Sequence, residues 1–222
     1  MPLKAYMSWS SGKDSAFALY EARRLGLAEI SGVLTTVNEK YDRVAMHGVR
    51  DALLDRQIAA LNLPALKILI PSPCPNDVYE ARMGDACAAI KAQGINHIVF
   101  GDLFLEDIRR YREEKLAAMG MTAIFPLWGR STDRLAEEMI ESGLVAHLVC
   151  VDPKQLDAAF AGRRFDAALL SALPPGVDPC GENGEFHTFV SAGPMFSRPI
   201  DVRIGEIVER EGFVFADALD SA

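Results

Sequence analysis

Apolar and polar positions follow two rhythms over the first 128 residues. Runs rich in apolar and β-branched residues at 4–9, 30–37, 66–70, 97–103 and 122–127 predict five buried strands. Between them apolar positions recur at helical spacing. Phe17, Leu19 and Tyr20 mark a helix over 14–25, and Leu53, Leu54, Ile58 and Leu61 share one face of a helix over 50–62. Further helices are predicted over 76–93 and 105–119. Strands alternating with helices predict an α/β fold, a parallel sheet covered on both faces. The rhythm changes after Trp128. A helix over 132–142 ends at Gly143, a strand covers 145–151, and helical stretches follow at 154–160 and 164–172. The run 173–184 holds three prolines and three glycines and reads as a loop. Strands at 186–191, 200–209 and 212–216 close the chain, the last two joined by a hairpin turn at Glu211-Gly212. Two domains are therefore expected, 1–128 and 129–222.

Composition narrows the setting. Half of the 222 residues are hydrophobic and 24% are charged, the balance of a globular protein with a proper core. A net charge of −8 disfavours a nucleic-acid partner, because an acidic surface repels a phosphate backbone. Cys74, Cys87, Cys150 and Cys180 are scattered, with no paired spacing for zinc or redox work. Met1-Pro2-Leu3-Lys4 leads directly into a short apolar run without a signal-peptide core, and no apolar stretch approaches the ~20 residues that span a bilayer. A cytoplasmic protein is expected, with a homodimer as the default assembly.

The first strand runs into Ser10-Ser11-Gly12-Lys13-Asp14-Ser15, and a helix starts at once. Free N–H groups and the helix dipole make such a junction an anion site. Ser10, Ser11 and Ser15 add hydroxyl donors, and Lys13 adds a compact positive charge. Asp14 would repel phosphate, so it is expected to cap the helix or to hold Mg²⁺. The loop is neither a Walker A loop, since position 7 is Met and Asp follows Lys13, nor a dinucleotide fingerprint. A second polar cluster lies far along the chain, at Cys180-Gly181-Glu182-Asn183-Gly184-Glu185-Phe186-His187-Thr188-Phe189. Its carboxylates, amide, imidazole and hydroxyl suit metal or substrate binding or acid–base work, and equally a plain polar turn.

The first loop resembles the PP-loop of the ATP pyrophosphatases, written SGGxDS, with Ser11 at the usual first glycine. A serine fits there if its backbone stays in the ordinary region. Together with the stretch GENGEFHTFV, and with Met46-His47, Gln57, Leu63-Pro64, Gly101-Asp102, Pro126-Leu127-Trp128 and Gly162-Arg163 in order, the chain resembles the diphthine–ammonia ligase family. That resemblance implies a Rossmann-like, adenine nucleotide alpha hydrolase-like domain over 1–128 and a smaller α/β substrate-binding domain over 129–222. It implies ATP and Mg²⁺, adenylation of a carboxylate with loss of pyrophosphate, and amide formation with ammonia. The segment Leu105 to Glu114 departs from the tyrosine-glutamine-arginine-rich stretch of those ligases and points to a bacterial-type branch, so the carboxylate-bearing acceptor stays unassigned. An RNA-modifying PP-loop enzyme and a non-catalytic ATP sensor are the competing readings.

Roles follow for particular residues. Lys13, Asp14, Asp102, Glu185 and His187 are the catalytic candidates. Ser10 to Ser15, Thr35, Thr36, His47 and Gly101 are the nucleotide candidates, with Thr35 and Thr36 read as ending the second strand. Asp14 and Asp102 are the metal candidates, Asp102 alternatively capping the next helix. Arg109 and Arg112 on that helix, with Glu182, Asn183, Glu185, His187 and Thr188, are the substrate candidates; the arginines would otherwise pair with nearby glutamates. Glu185 and His187, two apart in a strand, are expected on one face, with Phe186 in the core.

Overall fold

The structure, a computed structural model, describes residues 3–44 and 48–221. His47, a nucleotide candidate, lies outside the described residues. The first sheet contains β1 (Lys4–Ser8), β2 (Glu29–Asn38), β4 (Ala65–Ile70), β5 (His97–Val99) and β6 (Thr122–Ile124), all parallel to their neighbours. β1 lies between β2 and β5, β4 flanks β2, and β6 flanks β5. The chain thus builds outward from β1 on one side and then crosses to the other. This Rossmann-like order places a topological switch point between β1 and β5. Two residues, β3 (Arg43–Val44), pair antiparallel with the end of β2.

Alternation along β1 feeds two cores. Ala5 and Met7 face α1 (Lys13–Arg24) and α2 (Asp51–Leu61), while Tyr6 faces α3 (Asn76–Lys91) and α4 (Glu106–Ala118). The first of these cores runs on without a break into the second sheet. That sheet is antiparallel, in the order β8 (Phe186–Ala192), β7 (Val145–Val151), β10 (Phe213–Asp220), β9 (Val202–Arg210). Before it, α5 (Thr132–Glu141) stops as predicted: the Gly143 and Leu144 N–H groups bond back to Ile140 and Met139 at 3.0 and 3.2 Å, with Gly143 at φ +84°.

Several expected boundaries move for local reasons. β5 ends at Val99 rather than 103; past it the Phe100 N–H still reaches the Ile124 carbonyl at 2.9 Å, and the Leu103 N–H goes to the Glu182 carboxylate at 2.8 Å. β6 ends at Ile124, two residues before Pro126, which has no N–H to offer a ladder. β2 does not end at Thr35 and Thr36 but continues to Asn38, paired with β4. The helical stretches at 154–160 and 164–172 contract to a 3₁₀ turn, Ala158–Phe160, and α6 (Ala167–Ala172), each started by an aspartate cap, Asp157 or Asp166. The final hairpin is longer than expected, and its turn residues Glu211 and Gly212 have φ of 51° and 82°, as a type I′ turn requires.

Candidate active site

The site begins where β1 meets α1. The Ser10 and Ser15 hydroxyls lie 3.1 Å apart, and Ser15 Oγ donates to the Gly12 carbonyl at 3.0 Å, which knits the loop into a tight arch. Gly12 occupies the cap position of α1 without a side-chain cap, so Asp14 does not cap the helix. Ser11 departs from expectation. It sits at φ +70°, the left-handed region that favours glycine, and its buried hydroxyl finds no hydrogen-bond partner among the described residues. The glycine usual at this place is therefore a conformational need, and here a serine meets it under strain.

Across the switch point, Gly101 packs directly on the loop. A Cβ there would lie 2.7 Å from the Asp14 carbonyl carbon, so the backbone contact requires glycine. Asp102 does not cap α4, whose cap is Leu105; it accepts a hydrogen bond from Arg112 Nε at 3.1 Å.

β8 brings the distant polar segment onto this loop. Thr188 Oγ1 accepts from the Lys13 N–H at 3.0 Å, and the Val190 N–H donates to the Ser11 carbonyl at 3.0 Å. The Lys13 ammonium, 1% exposed, donates to both Asp14 oxygens at 3.0 and 2.9 Å and to the Cys180 carbonyl, between the rings of Phe165 and Phe186. Burial works to lower its pKa, but Asp14, Cys180 and Glu182 outweigh that and hold it above its ordinary value. Burial pushes the Asp14 carboxyl up against the pull of Lys13. We take the charged ammonium as the firm side of this pair, because a carboxylate and a carbonyl both enclose it.

Glu182 completes the mouth. Burial pushes its carboxyl up to about 7; the Leu103 N–H opposes the shift, and the negative charges of Asp14 and Asp102 add to it. Three carboxylates therefore feel one another beside one buried lysine.

Residues 131–217 match the family model described as the diphthamide synthase C-terminal domain. The human diphthine–ammonia ligase is 30% identical over 93% of this chain and 85% of its own length. The zebrafish (Danio rerio) and cattle (Bos taurus) diphthine–ammonia ligases are 27% and 26% identical over 93% of the chain, covering 89% and 85% of their lengths. The chain belongs to the diphthine–ammonia ligase family. The family resemblance carried by the two end motifs thus holds, and this is a family of enzymes that form C–N bonds.

In this member of the family the remaining candidates divide. His187 faces a cavity of about 550 Å³ and also acts electrostatically on Asp14, so it stands between the cavity and the loop. The cavity lies against the ends of β2 and β4, at Asn38 and Ile70, and against β10 at Phe215. Its walls hold none of Ser10 to Ser15; His187 links the two. Thr35 lies one residue past the last partner of β1, its buried hydroxyl without a partner among the described residues, while Thr36 is half-buried beside it.

Glu185 turns away from its expected role. It is 2% exposed and accepts from the N–H groups of Asp178 and Asn183 and from the Asn183 side chain, each at 3.0 Å. It braces its own turn together with Asn183 and does not share an open face with His187. Phe186 does enter the core, at 2% exposure. Arg109 pairs with Glu113 at 2.8 Å and lies over Trp128, as the neighbour-pairing reading expects. Arg112 reaches the site only through Asp102.

One residue of the site carried no role in the sequence reading. Gln57 is fully buried and bonds to Trp9, Ser11 and Val190 at once. The signal was available: position 57 falls on the apolar stripe with Leu54 and Leu61, where an amide is out of pattern.

Proposed function

We propose that this chain is an ATP-dependent, AMP-forming amide ligase. Residues 1–128 hold ATP, and residues 129–222 close the loop and bind the acceptor. The observation that carries the reading is the phosphate loop at the switch point, strained at Ser11 and met by Thr188 and Val190 from the GENGEFHT strand. ATP would place its β- and γ-phosphates on Ser10 to Ser15 and its nucleoside toward Thr35, Thr36 and the cavity at the ends of β2 and β4.

Mg²⁺ fits the mouth. No group of three or more metal-ligating side chains occurs among the described residues, but Mg²⁺ takes one or two carboxylates together with phosphates and water. Asp14 and Asp102 would hold it, and its charge would relieve the repulsion that raises Glu182. When bound, the ion neutralises phosphate charge.

The chain's own groups do the rest. The helix dipole and Lys13 stabilise charge on the departing pyrophosphate, so Lys13 must leave the Cys180 carbonyl for phosphate oxygen. An acceptor carboxylate oxygen attacks the α-phosphorus, and the bond to pyrophosphate breaks. Ammonia, named as substrate in the relatives, then adds to the acyl carbon as AMP leaves, and one proton is lost. Glu182, half-buried at the mouth beside Asp14 and Asp102, is the carboxylate placed to take that proton. His187 would sit between the nucleoside in the cavity and the phosphates on the loop.

The test incubates the protein with ATP, Mg²⁺, ammonium and candidate carboxylates, diphthine among them. The expected products are AMP, pyrophosphate and an amide. Formation of ADP and phosphate without AMP refutes the reading.

A further inference from the structure

Gln57 lies on α2, outside both signature motifs, yet it touches three segments of the site. Its Oε1 accepts from the Trp9 indole N–H at 2.9 Å. Its Nε2 donates to the Ser11 carbonyl at 3.0 Å and to the Val190 carbonyl at 2.7 Å. The amide can face only one way. Indole offers a donor and the two carbonyls offer acceptors, so turning the amide over would break every contact. Trp9 therefore fixes the orientation in which Gln57 holds Ser11.

The Ser11 carbonyl receives a second donor from the Val190 N–H at 3.0 Å, which uses both of its lone pairs. A trans peptide points its C=O and N–H in opposite directions. With the carbonyl held against α2 and β8, the Gly12 N–H must point the other way, toward the Ser10 hydroxyl at 3.4 Å and the inner side of the arch. The cost of this geometry is a left-handed Ser11, at φ +70°, a conformation that a residue with a Cβ disfavours. Without Gln57 the peptide is held from one side only, and that cost favours rotation.

We propose that Gln57 is a positioning residue for ATP, holding the Ser11–Gly12 peptide so that its N–H faces the phosphates and tying that loop to β8. The inference rests on the ATP reading above and names a residue through which it works. Gln57 touches no reacting atom. Its effect belongs in nucleotide affinity more than in the chemical step.

The test is calorimetric ATP binding with steady-state kinetics on Gln57→Met, which keeps size and removes both ends of the amide. ATP affinity should fall about tenfold, about 1.4 kcal/mol, with kcat changed by less than about threefold. Adding Ser11→Gly should restore most of the affinity without restoring Tm, because glycine holds the left-handed conformation unaided. Wild-type affinity in Gln57→Met overturns the proposal. So does a loss that Ser11→Gly leaves untouched, since that loss would follow general destabilisation. If Gln57→Met does not fold, Gln57→Asn takes its place: its shorter amide cannot span both partners, and unchanged ATP affinity there overturns the proposal equally. Failure of the wild-type protein to bind ATP overturns the ATP reading, and this inference with it.

Discussion

The phosphate loop and the turn from Asp178 to Glu185 are both short, polar, glycine-containing segments, and they differ in what their polar groups have left to do. In the turn, Glu185 is saturated by three N–H donors of its own neighbourhood. In the loop, Ser11 is held at φ +70° with its hydroxyl buried and without a partner among the described residues. Glu185 is spent within its own turn, although Glu182 and Cys180 beside it reach Leu103 and Lys13, whereas the loop is held by contacts from outside. Polar content alone does not make a site. What sets the loop apart is a buried hydroxyl left unmet among the described residues, and from GENGEFHT it is Glu182, Phe186, His187 and Thr188 that lie toward the loop.

Replacing Lys13 with Met gives the strongest test of the open side. Loss of a charge that stabilises the leaving group should lower kcat by about 100- to 1,000-fold. Pyrophosphate release measures it, with Tm measured alongside because Asp14 loses its partner. Activity near wild type would place the phosphates elsewhere.

Next comes the closed side. Glu185→Ala leaves the Asp178 and Asn183 N–H groups without their acceptor, at a cost of about 3 kcal/mol in stability. Denaturant unfolding reads it directly. A fully stable Glu185→Ala protein that has lost activity would return Glu185 to the catalytic group.

The smallest expected effect concerns the boundary between the two. Glu182 has its pKa raised from 4.5 to about 7, so the folded protein holds a proton there that the unfolded chain has released. Its ionisation therefore destabilises the fold. The penalty is absent below pH 4.5, grows between 4.5 and about 7, and is complete above that. Glu182→Gln should raise Tm at pH 8 relative to wild type and leave it unchanged at pH 4. Equal Tm shifts at both pH values would remove Glu182 from the charged cluster.

Much of this architecture is legible in the sequence, because local periodicity reports local structure. β7 and the stop of α5 at Gly143 fall where the pattern puts them. The junction of β1 and α1 was legible for the same reason, its connecting loop being built from consecutive residues, Ser10 to Ser15. What escaped is long-range. Past the end of β5, the Leu103 N–H is taken by a glutamate 79 positions away. The strain at Ser11 depends on Gln57 and Val190, and the role of Glu185 depends on which way one side chain folds back. None of these follows from residue type at one position. Gln57 is the partial exception, since a polar residue on an apolar stripe marks a buried network even when its partners are unknown.

The contact between Lys13 and Thr188 also sets an order of events in time. A ribosome lays down the loop 175 residues before it makes the hydroxyl that receives the Lys13 N–H, and Val190 follows two residues later still. At roughly 5–20 residues per second, many seconds separate the two ends of that contact. Through that interval the nascent parallel sheet carries a loop that β8 has not yet met. The contacts that β8 makes with the loop can form only after β8 has emerged, so a half-made chain carries the loop without its brace.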